Sequence, residues 1–464
     1  MKNGEITDNK SEGYGDGIYI HTSESKVTMG ENFYLGRNDV KLDDVKAVLN
    51  ISGSSLKKHS ASEPKLLTPN YDAKLGIQVA VCKNESVAKS LASKVKSGDG
   101  SYNIVRDKKY FAIEYAKADM DMTGADTVYV SNFAELKDAV LSTTSKRYIV
   151  LKADIQMETR IRVPGGVTIC IKDDGIKRTL SRAEGFTNSF FVTHYGTGLY
   201  LTGTDAGKLV LDGGYVASSD TTNNLPLVRV AGSTEVRNVV LQNNGSLVKK
   251  NAVNGALFKQ TYGDFKIYDS ILSGGKAYSG GAVIVQRGEG YIEGTLIKDN
   301  ESTVGGAGVR VQGGSKLEVV DSTFETNHAG STGGGICALE ASEVIVTNTN
   351  FDKNTATVHG GALSAQDEGT ILSVIGKDKE SSVFANNSSE VAGAIYVVKS
   401  AELQVTDYVF DNNTATDRAG AVCILGNSNA TIENTAFYRN KSGESGGALI
   451  VDTSKATVVN CEFG

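Results

Sequence analysis

A cluster of small residues followed by an aliphatic one recurs eight times between Gly255 and Leu449. The clusters are Gly255-Ala256-Leu257, Gly281-Ala282-Val283, Gly306-Ala307-Gly308-Val309, Gly334-Gly335-Ile336, Gly361-Ala362-Leu363, Gly393-Ala394-Ile395, Gly420-Ala421-Val422 and Gly447-Ala448-Leu449. Between their second small residues, Ala256, Ala282, Ala307, Gly335, Ala362, Ala394, Ala421 and Ala448, the steps are 26, 25, 28, 27, 32, 27 and 27. A second mark keeps the same beat: Phe324, Phe351, Phe384, Phe410, Phe437 and Phe463, with steps of 27, 33, 26, 27 and 26. Both series lengthen in the repeat that carries TILSVIGKDKESSV. Two marks that stretch together belong to one structural unit, and units of this size bury their apolar faces by stacking on one another.

Between the marks, apolar and polar residues alternate, as in Lys316-Leu317-Glu318-Val319-Val320-Asp321 and Glu343-Val344-Ile345-Val346-Thr347. This is strand patterning with no room for a helix. The chain has 52 Gly but 4 Pro, and no proline follows Pro226. A proline would remove a ladder hydrogen bond, so its absence suits strands paired on both edges. The expected fold is all-β, a parallel β-helix in which each coil lies about 4.8 Å above the last. The eight clusters would span roughly 34 Å.

Each phenylalanine with three residues after it is followed at that distance by asparagine: Phe324 by Asn327, Phe351 by Asn354, Phe384 by Asn387, Phe410 by Asn413 and Phe437 by Asn440. Ile297 with Asn300 has the same form. One reading stacks the aromatics inward and places each asparagine at a turn, in left-handed backbone, bonded to its counterpart in the next coil. Another makes the motif an exposed ladder that a partner recognises. The pairs Gly361-Ala362, Gly393-Ala394, Gly420-Ala421 and Gly447-Ala448 are read as structural marks that let the backbone turn and coils approach. A phosphate-cradling loop would need a following helix, which this pattern lacks.

These two marks resemble the repeat of the chlamydial polymorphic outer membrane proteins, with signatures GGA followed by Ile, Leu or Val, and FxxN. The resemblance covers about residues 250–464. It implies a right-handed parallel β-helix displayed on a cell surface, commonly for adhesion, although the C-terminal membrane barrel of that family is not matched. The front half is similar to large repeat surface proteins of anaerobic gut bacteria.

Near the start, Ile6 with Asn9 and the run Gly15-Asp16-Gly17-Ile18-Tyr19 mimic the two marks, and the chain stops at Phe463-Gly464. Both ends are therefore expected to fall inside coils, as in a fragment of a longer protein whose signal and anchor lie elsewhere. Three segments are expected: residues 1–30 as the last coil or coils of one solenoid, 31–123 as its cap and an α+β connector, and 124–464 as a second solenoid. In the connector, Asn38–Asp43 and Ala47–Gly53 read as strands and Ser86–Lys96 as a short helix. The second solenoid opens with a capping helix over Asn132–Leu141, where Phe133, Leu136, Val140 and Leu141 share a face and Asn132 with Glu135 suits a capping box.

Charge bears on partners. Residues 251–464 hold 15 Lys+Arg and 25 Asp+Glu, a net of −10, leaving 33 and 29, a net of +4, in residues 1–250. The acidic distal half disfavours nucleic acid and polyanionic glycans. Cys82, Cys170, Cys337, Cys423 and Cys461 have no metal-ligand spacing and read as small buried apolar residues. Cys337 and Cys423 follow equivalent marks three coils apart, about 14 Å, too far for a disulfide. His21, His59, His194, His328 and His359 share no metal spacing and read as ordinary surface residues.

For glycoside hydrolysis two carboxylates must lie about 5 to 9.5 Å apart. Asp264 with Asp269, or Asp299 with Asp321, are conceivable pairs; Asp173-Asp174-Gly175 and Asp119-Met120-Asp121 could touch a cation but suit solvated turns. The expected function is a non-catalytic extracellular or cell-surface scaffold, an adhesin for a host or neighbouring-cell glycan or protein ligand. It is expected to be a monomer with no cofactor, metal, nucleic-acid partner or membrane span. The alternative is a carbohydrate-active β-helix enzyme, a polysaccharide lyase or glycoside hydrolase.

Overall fold

A computed structural model describes residues 121–214, 225–247, 254–377 and 382–464, with the backbone of short strands between residues 4 and 115. The chain divides into two compact units, Met1–Ala118 and Asp119–Gly464. In the first, Ile18–Ile20, Val40–Leu42 and Leu67–Pro69 form one parallel row. Val27–Met29, Leu49–Ile51 and Gln78–Cys82 form another. Antiparallel strands Tyr110–Tyr115 and Tyr102–Asp107 follow. Parallel stacking thus runs to Cys82, beyond residue 30, where the sequence pattern ends it. The strands there are mostly three residues long, and after Ile18–Ile20 none follows either mark, so no period shows. Ile6, Asn9, Gly15 to Gly17 and the helix expected at Ser86–Lys96 lie outside the described residues.

The second unit is an all-β parallel solenoid of about 11 turns. Three parallel sheets run its length, which we call sheet 1, sheet 2 and sheet 3, with 13, 18 and 11 strands. Sheet 2 has more strands because from residue 296 onward each coil contributes two. One coil runs Glu343–Thr347 in sheet 1, Asn350–Asp352 and Thr355–Ala356 in sheet 2, then Leu363–Gln366 in sheet 3. Alternate residues of the sheet 1 strands point inward: Val344 and Val346 are fully buried, with Leu372 and Val374 beside them in the next coil. One continuous core of aliphatic and aromatic side chains fills the solenoid.

Helix α1, Phe133–Leu141, closes the first coil. The Asn132 side chain accepts from the Glu135 amide at 3.0 Å, and Glu135 Oε2 accepts from the Ser131 amide at 2.7 Å. Helix α1 keeps the Asn132 half of the expected capping box, while the Glu135 carboxylate reaches back to the Ser131 amide and the Asn132 side chain instead of the Asn132 amide. Its buried face is Phe133, Leu136, Ala139 and Val140. Leu141, expected on that face, is 49% exposed, because Ala139 occupies the contact instead and Leu141 falls in the last turn.

The FxxN residues form two internal ladders. Phe324, Phe351, Phe384, Phe410 and Phe437 are buried, with successive ring centroids 4.7 to 4.9 Å apart in near-parallel stacks. Phe463 extends the stack at 4.9 Å but is 53% exposed. Each asparagine from Asn300 to Asn413 donates its backbone N–H and its Nδ2 to the Oδ1 of the next, at 2.9 to 3.2 Å. Nδ2 also donates to a carbonyl of the preceding coil, as Asn387 does to Phe351 O at 2.9 Å. The chain detour before Asn387 leaves this register intact.

The asparagines are not themselves left-handed, contrary to the expectation. Positive φ belongs to the residue before each: Asp299 (54°), Thr326 (53°), Lys353 (53°), Asn386 (56°), Asn412 (54°) and Arg439 (53°). That residue turns the chain outward and aims the next side chain into the core, where its amide must be satisfied. The small-residue mark has a steric cause: a Cβ on Gly393 would lie 2.2 Å from Gly420 O and 2.6 Å from Thr414 N. Gly420 meets Gly447 O in the same way, at 2.1 Å. In this register Gly255 lies opposite Gly280, so the first cluster is offset by one residue from the sequence alignment.

Candidate functional site

With both motif residues inside the coil, a partner cannot touch them; recognition has to use the exterior. Sheet 1 presents one long exterior face. Its central outward position reads Tyr148, Cys170, Tyr200, Glu235, Lys266 and Tyr291 in successive strands. The next outward position reads Lys172, Thr202, Arg237, Tyr268 and Glu293. Farther along the central column come Glu318, Ile345, Ser373, Gln404 and Thr431. Tyrosines therefore gather on the earlier coils, whereas charged residues continue along the face, with Lys316 paired to Glu343, and with Glu402 and Lys455 farther on.

These side chains hold one another flat on the sheet. Lys172 Nζ lies 4.9 Å from the Tyr148 ring centre, and the Arg237 guanidinium 4.0 Å from that of Tyr268. Tyr268 and Tyr291 pack at 5.7 Å, and the Tyr291 hydroxyl donates to Glu293 at 2.9 Å. Burial against neighbours, then the Glu293 contact, pushes the Tyr291 phenol up to about 12. Burial pushes Tyr200 up to about 12 as well. Such preset rings and cations can engage an amphipathic ligand with little ordering of side chains. Nothing in the sequence marks drew attention to these tyrosines; the available signal was an aromatic at outward positions of KRYIVL, GLYLT, DFKIY and EGYIE.

The acids singled out from the sequence do not converge. Asp264 opens a strand that ends at Tyr268, and Asp269 is the left-handed corner residue beyond it, so the length of the strand, roughly 13 Å or more, separates them. Asp299 and Asp321 are left-handed corner residues on either side of sheet 2 strands. Asp299 accepts from the Thr326 hydroxyl at 2.6 Å and Asp321 from Asn348 Nδ2. They tie corners of neighbouring coils.

Asp173 is not a solvated turn residue: it is buried and accepts from the Gly175 amide, the Thr204 amide and the Thr204 hydroxyl, each at 2.7 Å. Arg178, with Lys152 beside it, holds the Asp174 carboxyl well below the usual range. Asp121 accepts from Thr123; Asp119 and Met120 lie outside the described residues. Among the described residues no three His, Cys, Asp or Glu side chains group as metal ligands.

Cys170, Cys337 and Cys423 are buried free thiols, and Cys461 is half-buried. Cys337 and Cys423 share the outward column of sheet 3, three strands apart, as the sequence phase requires. Burial raises Cys170 and Cys423 to about 11, which leaves them protonated and unreactive at neutral pH. The side chain of Cys82, and His21 and His59, lie outside the described residues.

The histidines are not all ordinary surface residues. His328 is exposed, with Nδ1 2.7 Å from the Thr355 hydroxyl. His359 is half-buried and stacks on Tyr396 at 4.3 Å. Burial lowers its pKa below 6.5, against a smaller opposing effect of Glu390. The folded state thus binds fewer protons than the unfolded one, so this contribution is complete above 6.5 and declines as pH falls below it. The melting temperature is expected to drop between about pH 7 and about pH 5, and to drop less in His359→Gln. Equal slopes for the two proteins would contradict this role.

A separate open groove of about 710 Å³ lies where sheet 2 turns into sheet 3, lined by Glu158, Thr159, Arg160, Glu184, Phe186 and Asn188 among others. Glu158 and Glu184 are both exposed to solvent. Beneath it, Arg182 is stacked near Phe186 and Phe190 and donates to Phe186 O, Asn188 O and Asn244 Oδ1. Its role is to fasten the groove wall to the coil.

Three stacked parallel sheets closed by α1 and locked by internal ladders define a protein of the parallel β-helix class. Residues 254–415 match the family described as "Right handed beta helix region". The solenoid extends beyond that match on both sides, from Asp126 to Phe463. No curated protein matches the chain. Among the described residues no helix is long and apolar enough to cross a membrane.

Proposed function

We propose that the protein is a non-catalytic scaffold, displayed on a bacterial surface or secreted, that acts as an adhesin. The supporting observation is a division of labour: the recurring residues are internal and set the stack, while the exterior of the earlier coils carries preset tyrosines and cations. In this reading the ligand is a glycan or protein of a host or neighbouring cell, engaged along sheet 1 through Tyr148, Tyr268 and Tyr291. Beads coated with the full chain should adhere to target cells, and the Tyr268→Ala/Tyr291→Ala variant should adhere at least tenfold less. Half-buried aromatic contacts of about 1 kcal/mol each give this size of effect. Undiminished adhesion by the folded variant would remove sheet 1 from the account.

A second reading, a carbohydrate-active enzyme, has the groove carrying Glu158, Glu184 and Arg160 in its favour. Release of shortened or unsaturated sugars, abolished by Glu158→Gln or Glu184→Gln, would establish it.

A further inference from the structure

The outward column of sheet 3 in the early coils is basic. Register places Arg162, Val192, Arg229 and Lys259 on four successive rungs, with Arg162 and Arg229 both solvent-exposed. These two guanidiniums are two rungs, roughly 10 Å, apart. Neither has an ion pair or side-chain hydrogen bond among the described residues. This is unusual here, since Arg147, Arg178, Arg237 and Arg439 are all paired with carboxylates.

Arg160 and His194 border the same column. Desolvation lowers the pKa of both, and the nearby Arg162 and Arg229 lower them further. Four cationic or protonatable groups thus feel one another's charge, with no carboxylate among the influences on either group. Beside His194, Tyr195 packs on Tyr262 at 5.6 Å, and Arg287 donates to the Tyr262 hydroxyl at 2.7 Å. A row of like charges on a rigid sheet is unfavourable until an anion neutralises it.

We propose that Arg162 and Arg229, flanked by Arg160, His194 and Lys259, form a binding site for an acidic polysaccharide, one bearing carboxylate or sulfate groups along its chain. This goes beyond the scaffold reading and does not depend on where the protein is displayed. It also revises the charge argument: the acidic balance of residues 251–464 says nothing about this earlier face.

Two features favour a sugar chain over nucleic acid. The two unpaired guanidiniums are far apart compared with the charges of a duplex, one per about 1.7 Å. At the rim Tyr195 packs on the buried Tyr262, so the pair leaves no open slot for a base.

The test is binding of the full chain to polygalacturonate and to dextran sulfate, with neutral dextran and a single-stranded oligothymidylate as the other arms. Arg162→Ala/Arg229→Ala is compared with Lys353→Ala/Lys399→Ala, which removes the same charge from other exposed positions. Each lost charge-assisted contact should weaken binding about tenfold. The expected result is binding of at least one acidic glycan, no binding of dextran, and a loss of tenfold or more only in the arginine variant. Equal losses in both variants, unchanged binding in the arginine variant, no binding of either acidic glycan, or tighter binding of the oligonucleotide than of either glycan would each overturn the proposal. Matched melting temperatures of the two variants establish that both are folded.

Discussion

Phe384→Ala is expected to cost about 3–5 kcal/mol of stability, the range for removing a large side chain from a packed core. Phe384 is fully buried, with Phe351 at 4.7 Å on one face and Phe410 at 4.8 Å on the other. Tyr408 packs against it at 5.2 Å, held by its hydroxyl donating to Thr349 O at 3.0 Å. The void therefore opens in the middle of a ladder whose neighbours are fixed from both sides and cannot collapse inward. Phe463→Ala removes the same atoms from the end of the ladder, where the ring is 53% exposed and stacked on one face. That change should cost less than half as much. Urea unfolding of the two variants provides the comparison; equal costs would mean that the stack contributes no packing beyond local burial.

Asn387→Asp should destabilise by about 3 kcal/mol or more while leaving the core volume almost unchanged. Asn387 Oδ1 receives the Asn354 amide at 2.9 Å and Asn354 Nδ2 at 3.1 Å, and its Nδ2 donates to Phe351 O and to Asn413 Oδ1. An aspartate keeps the acceptor side but replaces both donations by oxygen facing oxygen, or buries a charge with no cation beside it. The site is completely buried, so water cannot substitute. Asn386→Asp, one residue earlier on the exposed left-handed corner, loses its donation to Asp352, but water solvates both carboxylates there, so the cost should stay within about 1 kcal/mol. Similar effects at both positions would show that the amide network is dispensable.

That adjacent pair also explains what could be read in the sequence. Phe and Asn recur because each must match its counterpart one coil away, about 4.8 Å distant, so the constraint prints itself as a period. The period carries no information on which residue takes positive φ. Thr326, Lys353 and Arg439 adopt it alongside Asp299, Asn386 and Asn412, so residue type marks only half of these corners. In α1 the cap was legible from Asn132 and Glu135, but the choice between Ala139 and Leu141 depends on how the helix leans on the first coil.

The exterior was far less legible. Arg162 and Arg229 are 67 residues apart in coils that carry neither mark, and only the stacking register brings them together. The aspartates chosen as candidate pairs are mostly corner residues, because acids and amides are tolerated at positive φ. Exposed positions need not match their neighbours, so no period reports on them.

The central claim is that a rigid stack presents an exterior that binds without turning over its ligand. Incubation of the full chain with polygalacturonate, dextran sulfate and a panel of neutral glycans, read for bound polymer and for released reducing ends and unsaturated sugars together, tests it most directly. The account predicts retained polymer of unchanged length. Shortened chains that accumulate with time, and that disappear in Glu158→Gln or Glu184→Gln, would contradict it.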